Sequence, residues 1–385
     1  MSRVFVGMSG GVDSSVTAAL LVDQGYDVTG IYMKNWTQDL PGMRCPWADD
    51  LADAKRVAVQ LKIPFRVYDF QKEYKQYVVD YMVTEYEAGR TPNPDIMCNQ
   101  EVKFNLFLKA ALADGADMIA TGHYARVAYS SSVSAQQSFS EHSLQGYAPV
   151  AFGSPAATVS SKDHWAETAG ESGTLYMAKD TNKDQTYFLY RVTAEALAKT
   201  LFPLGMLEKT EVRSIAEQKG LITARKKDSQ GICFVGSVGI KEFLSQYITT
   251  HPGEIIEKES GAVIGHHDGA IFYTIGQRHG LNVGGGLPYY VVAKDMAQNK
   301  VFVSRNLDDE SMWRTTMTLR DIHWINDPPT PGEKLHARLR HRGALLPCRL
   351  DGVTLHLDEA ERAVTAGQSA VLYQGNIVLG GGIVA

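Results

Sequence analysis

Cysteine is scarce in this chain: four residues in 385, at positions 45, 98, 233 and 348. They form no CxxC pair and no metal-ligand spacing, so neither an iron–sulfur centre nor a zinc framework is expected. Scattered cysteines in a long chain read as thiols kept reduced inside a cell, where one with a function is catalytic. No apolar run reaches the ~20 residues of a membrane span. A strand pattern starts at residue 3, leaving no room for a targeting peptide, and a cytoplasmic, membrane-free protein is expected. Neither sign of charge is in excess: 38 Lys and Arg stand against 43 Asp and Glu, a net of −5. Bulk electrostatics therefore do not demand a polyanionic partner, although a local basic surface can still hold one. Two phosphate-binding signatures are also missing: no GK[ST] follows a glycine loop, and GxGxxG is absent.

What is present is an ordinary globular balance, 44% apolar and 21% charged, with length for two or three domains. Strand and helix signals alternate over the first 120 residues. Short apolar runs at 3–8, 27–33, 64–70 and 117–123 read as strands. Periodic stretches at 14–24, 48–61, 74–86 and 102–112 read as helices. Such alternation predicts an α/β fold, a doubly wound parallel sheet with ligands at the carboxyl ends of its strands. Residues 130–173 are rich in Ser, Ala and Gly without a clear period, and read as a flexible insertion. A small central domain and a C-terminal antiparallel β-barrel follow, the latter from short alternating runs bounded by turn residues. The expected division is 1–201, 202–275 and 276–385.

"GMSGGVDSSV" (7–16) places three glycines between the first strand and the first helix. Bare backbone and a helix N-terminus make an anion cradle. The loop resembles that of the PP-loop ATP pyrophosphatases. That resemblance implies ATP bound by Gly7, Met8, Ser9, Gly10, Gly11, Val12, Asp13 and Ser14, with hydroxyls from Ser9 and Ser14. It also implies Mg²⁺ near Asp13, adenine beside Met33, and adenylation of a carbonyl oxygen on the substrate.

Two cysteine sites bear on the nucleophile. Cys98 stands three residues after Asp95 in "TPNPDIMCNQEVKF" (91–104), ahead of a helix whose N-terminus favours thiolate. Asp95 is a candidate acid/base beside it. Cys233 lies in "KKDSQGICFVG" (226–236), after a basic cluster. Together with an ATP loop they suggest sulfur carried as a persulfide and a disulfide left behind. A ligase using ammonia, and an ATP-binding RNA module without chemistry, remain open on these residues alone.

These segments, with "TGHYARV" (121–127), "KDTNKDQTYFLY" (179–190), "YTIGQRHGL" (273–281) and "GQSAVLYQGNIVLGGGI" (367–383), resemble the tRNA-specific 2-thiouridylases nearly end to end. The resemblance implies ATP-dependent 2-thiolation of the wobble uridine of tRNAs, of the Lys, Glu and Gln acceptor type, with a persulfide donor or relay protein as partner. It casts Cys98 as nucleophile, Cys233 as persulfide carrier, Asp95 as acid/base and Gly122 as an ATP contact. Asn93, Pro94 and Asp95 would frame the base. His123, Lys183, Asp184, Gln185, Arg340, His341 and Gln368 would meet the tRNA. The family joins "GHY" and "KDQ" by a short hairpin, where this chain carries the 130–173 insertion. Residues 331–350 add five basic residues against Glu333. Strand alternation predicts Arg338, Arg340 and Arg342 on one basic face suited to phosphates. "ARKK" (224–227) adds three positive charges near Cys233.

Overall fold

A computed structural model describes residues 1–39, 45–130, 171–227, 239–284, 286–306 and 308–385. Cys233 and nearly all of the expected insertion lie outside the described residues. Among the described residues, no helix is long and apolar enough to cross a membrane.

The N-terminal part is built around β1 (Arg3–Gly7), which runs into α1 (Val12–Asp23), β2 (Asp27–Lys34), α2 (Trp47–Leu61) and β3 (Phe65–Asp69). A long helical stretch follows, α3 (Gln71–Tyr74), wide π-helical turns over Lys75–Val79, then α4 (Asp80–Glu87). A second one comprises α5 (Pro94–Met97), π-helical turns over Cys98–Phe107, and α6 (Leu108–Ala113). The chain returns through β4 (Met118–Ala120), the hairpin strands β5 (Arg126–Ser130) and β6 (Ser172–Tyr176), α7 (Ala194–Ala198), β7 (Thr200–Leu201) and α8 (Lys209–Gln218). The parallel sheet has the order β3-β2-β1-β4-β7. Strand order reverses at β1, so a crevice opens between the carboxyl ends of β1 and β4.

Period-two alternation in β1 explains the layers. Val4 and Val6 enter one core with α1, α2 and α8, while Phe5 enters another with Phe104, Phe107 and Leu108. Because α1 is covered by both the sheet and α8, Ser15 and Thr17 are fully buried. Their hydroxyls are satisfied by the carbonyls of Gly11 and Asp13.

After α9 (Ile240–Leu244), β8 (Gly253–Glu257) and β9 (Val263–His267) pair with β10 (Tyr290–Asp295) and β11 (Lys300–Ser304) in the order β10-β11-β8-β9. The boundary expected at 275 therefore falls inside one sheet, and that at 201 falls before α8, which packs on α1 through Val212 and Ala216. The middle sheet shares a core with the helices of 71–87, and Cys98 lies in that core.

The barrel comprises β12 (Trp313–Trp324), β13 (Leu335–Arg338), β14 (Leu346–Asp351), β15 (Thr354–Arg362), β16 (Ser369–Gln374) and β17 (Ile377–Val384). Its order is β12-β15-β14-β13-β16-β17, closed by β17 on β12. The β5–β6 hairpin extends this sheet from β17. Ser130 pairs with Ser172, so the two ends of the insertion meet as neighbours on one hairpin.

Candidate active site

The glycine loop lies at the carboxyl end of β1. Gly11 starts α1 with no side-chain cap on the helix. The amides of a first turn have no partner within the helix, so this end is available to an anion. Gly10 has φ +74°, and a Cβ there would sit 2.3 Å from the Asp50 carbonyl oxygen. Ser9 and Ser14 brace each other, with hydroxyls 3.2 Å apart and the Ser9 amide donating to Ser14 Oγ at 3.1 Å. A Cβ on Gly122 would lie 2.8 Å from the Ser14 amide nitrogen, so the turn after β4 presses directly on the loop. Met33 packs over Gly7, while Met8 is buried under Gly30. The fold thus assembles the loop, Met33 and Gly122 from three separate strands.

Asp13 is the charge of the loop. Lys209 Nζ donates to both its oxygens at 2.7 and 2.8 Å, and Tyr124 Oη donates to Oδ1 at 3.0 Å. Neither Lys209 nor Tyr124 was singled out by sequence. Tyr124 lay inside a recognised motif, but Lys209 carried only a local signal, a Glu208/Glu211 capping box that starts α8. Lys226 of the "ARKK" run pairs with Asp50 at 2.8 Å and Asp53 at 2.6 Å. Burial opposes its charge, but these two carboxylates outweigh that and hold its pKa above the ordinary value.

The 180–185 turn ties this region together. Asp180 accepts from the amides of Asn182, Lys183 and Lys209. The Gln185 amide donates to the Tyr124 carbonyl at 3.0 Å, and Gln185 Oε1 accepts from the Tyr124 amide at 2.9 Å. Asp184, expected at the tRNA, is 1% exposed. Its carboxylate accepts from the Ala178 amide, the Thr186 hydroxyl and Arg338 at 2.8–3.0 Å. Its side chain is thus enclosed, and RNA can meet this turn only through its backbone or its neighbours.

The second site follows from Asn93, whose Oδ1 caps the helix by accepting from the Asp95 amide at 3.1 Å, with Pro94 at the first helical position. Asp95 and Cys98 are three residues apart on this helix and so share a face. Cys98 is 2% exposed, and Asp95 is half-buried. The Asn99 side chain donates through Nδ2 to the Phe188 carbonyl at 3.0 Å, tethering the cysteine's neighbour to the segment after Gln185. The barrel reaches the same helix from the other side. The Thr91 amide donates to the Ala366 carbonyl at 2.8 Å, and Gly367, the residue before Gln368, abuts Arg90 and Thr91.

The basic strand face is corrected by the structure. β13 ends at Arg338, and Arg340 and Arg342 lie in the following turn. Arg338 points inward, 6% exposed, on Asp184. Arg340 remains exposed and pairs with Glu361, and Arg342 donates to the Asn182 carbonyl. His341 packs on Phe188 with ring centres 4.5 Å apart and planes tilted by 41°, and burial holds its pKa below the usual histidine value. His123, also expected near tRNA, is buried between Phe104 and Phe202, with Nδ1 2.8 Å from the Thr121 hydroxyl. Burial pushes its pKa down and keeps it neutral. Lys183 is partly buried, its amide bonded to Asp180.

Comparison with known proteins matches three consecutive stretches of the chain. Residues 2–237 match a tRNA methyl transferase HUP domain, residues 241–305 a tRNA methyl transferase PRC-barrel domain, and residues 314–384 an aminomethyltransferase beta-barrel domain. The tRNA-specific 2-thiouridylase MnmA of Enterococcus faecalis is 43% identical over 396 residues, covering 100% of this chain and 95% of its own length. Its namesake in Pseudomonas savastanoi pv. phaseolicola is 44% identical over 395 residues, at 100% and 94% coverage. That of Geobacillus thermodenitrificans is 43% identical over 390 residues, at 100% and 94%. With likeness at this level running from one end to the other, the chain belongs to the family of tRNA-specific 2-thiouridylases.

Proposed function

We propose that this protein is a tRNA-uridine 2-sulfurtransferase that adenylates the C2 carbonyl of the wobble uridine with ATP and replaces its oxygen by sulfur. The observation that carries the reading is the pairing of two sites. An uncapped helix start behind a glycine loop stands at the carboxyl edge of the parallel sheet. An Asp–Cys pair on one helical turn stands in the seam with the middle sheet. The first suits a triphosphate, the second a sulfur reaction.

The C2 oxygen attacks the α-phosphate, pyrophosphate leaves, and the oxygen becomes part of a good leaving group. The loop amides and the Ser9 and Ser14 hydroxyls hold the departing phosphates. Asp13, part-exposed, is the carboxylate of the loop that would hold Mg²⁺, and the ion would supply positive charge to offset that of the phosphates. The outer sulfur of a Cys233 persulfide then bonds to C2, and AMP leaves with the original oxygen. The Cys98 thiolate attacks the inner sulfur as the S–S bond breaks, giving a Cys98–Cys233 disulfide and 2-thiouridine. An external dithiol reduces the disulfide, and a persulfide donor protein reloads Cys233. Asp95 exchanges the proton at the uridine or at Cys98. The target base must leave its stack to reach a buried thiol.

The decisive experiment incubates the protein with tRNAs of the Lys, Glu and Gln type, ATP, Mg²⁺, a dithiol and a persulfide-loaded donor protein, then analyses nucleosides by mass. 2-Thiouridine with one pyrophosphate per turnover is expected. Full activity in Cys98→Ser and Cys233→Ser variants would overturn the sulfur assignment. Without reductant, turnover should stop near one, with the Cys98–Cys233 disulfide recoverable by peptide mapping.

A further inference from the structure

The loop supplies amides and hydroxyls, but a nucleotide triphosphate brings several negative charges. Lys209 is the cation bonded to the loop's only carboxylate, and its side chain is 12% exposed. It reaches Asp13 across 196 positions of sequence. We propose that Lys209 is a phosphate-binding residue of this site, held beside the loop by Asp13 until nucleotide arrives. The inference rests on the ATP reading above and adds a residue to it.

Three features support the assignment. The ammonium is pre-positioned: the Lys209 amide donates to Asp180 at 3.0 Å, the Glu208/Glu211 box fixes the helix start, and Val212 and Ala216 lock α8 onto α1. The contact is also exchangeable, because lysine is a compact charge on a flexible stem that can shift between neighbouring acceptors. Finally, the exchange leaves no charge unpaired. Phosphates offer the ammonium more negative charge than one carboxylate does, and Asp13, once released, would be the residue to hold a divalent cation that accompanies ATP.

The test is calorimetric binding of MgATP and of AMP to the full chain carrying Lys209→Met, Lys209→Arg or, as a control for charge loss on α8, Lys219→Met. Lys219 pairs with Asp23, away from the loop. Lys209→Met is expected to weaken MgATP roughly 10- to 100-fold, the scale of a lost charge-assisted hydrogen bond. AMP affinity should change less than about twofold, since the lost contact is to the terminal phosphates. Lys209→Arg should fall in between, and Lys219→Met should match wild type. Equal MgATP affinity in Lys209→Met and wild type would overturn the proposal. So would equal losses for MgATP and AMP, which indicate a distorted pocket. A wild-type chain that binds AMP and ATP alike overturns the contact, whereas one that binds neither overturns the ATP reading beneath it.

Discussion

Lys294 is half-buried beneath the turn at Gly89, where its ammonium donates to the Gly89 carbonyl at 3.0 Å. Burial lowers its pKa to about 8. Between that value and the ordinary lysine range, the unfolded chain holds a proton that the folded one lacks. Stability therefore rises with pH across this window and is flat below it. Thermal melts from pH 7 to 10 should show that rise in wild type and lose it in Lys294→Met. Gly10 makes a sharper demand. Alanine there needs both a left-handed backbone and space held by the Asp50 carbonyl, so Gly10→Ala should abolish pyrophosphate release by displacing the loop or α2. Retained release at the wild-type rate would refute this. The glycines were legible in sequence because a loop between strand and helix is local. The second reason for Gly10 was not, because Asp50 meets it only after α2 has packed.

At the scale of elements, the helical stretch from Pro94 is where position is set. Its start depends on Asn93. Asn93→Ala should cost about 1 kcal/mol in stability, the usual value of a lost cap. Because Asp95 is the capped residue, thiolation should fall by more than the melting shift alone predicts, measured as kcat at saturating tRNA. The helix expected from residue 102 with Cys98 ahead of it starts instead at Pro94 and carries Cys98 within it. The period-two strands of the barrel were readable because alternation is written in neighbouring residues. The basic strand failed for the opposite reason. β13 stops at Arg338, and no local pattern announces that the next two arginines turn away or that the first has a buried partner.

At the scale of the molecule, buried charge fastens the parts together. Glu85 on α4 accepts from Arg90 and from Arg320 of β12, and Asp184 accepts from Arg338 of β13. Arg338→Ala should cost about 3–5 kcal/mol, because Asp184 would be left charged and enclosed without its cation. Denaturant unfolding measures that loss. The slope of tRNA affinity against salt should stay unchanged, contrary to what a phosphate contact would give. Packing across the expected boundaries was not legible from texture, because it joins elements distant in sequence. α8 returns to α1, and β10 pairs with strands that precede residue 275.

The hairpin shared between the ATP-binding part and the barrel has a consequence for biosynthesis. β6 is completed on its outer edge by Ile377 and Val378 of β17, a strand made after the other described elements. While the ribosome is still delivering the barrel, β6 presents unpaired amides and carbonyls, the kind of edge that recruits other chains. β17 also closes the barrel on β12 and β16, so its arrival seals both halves in one event. A chain stopped before residue 377 should accumulate as aggregate, not as a soluble ATP-binding fragment. Covering that edge during translation is then a task for a chaperone.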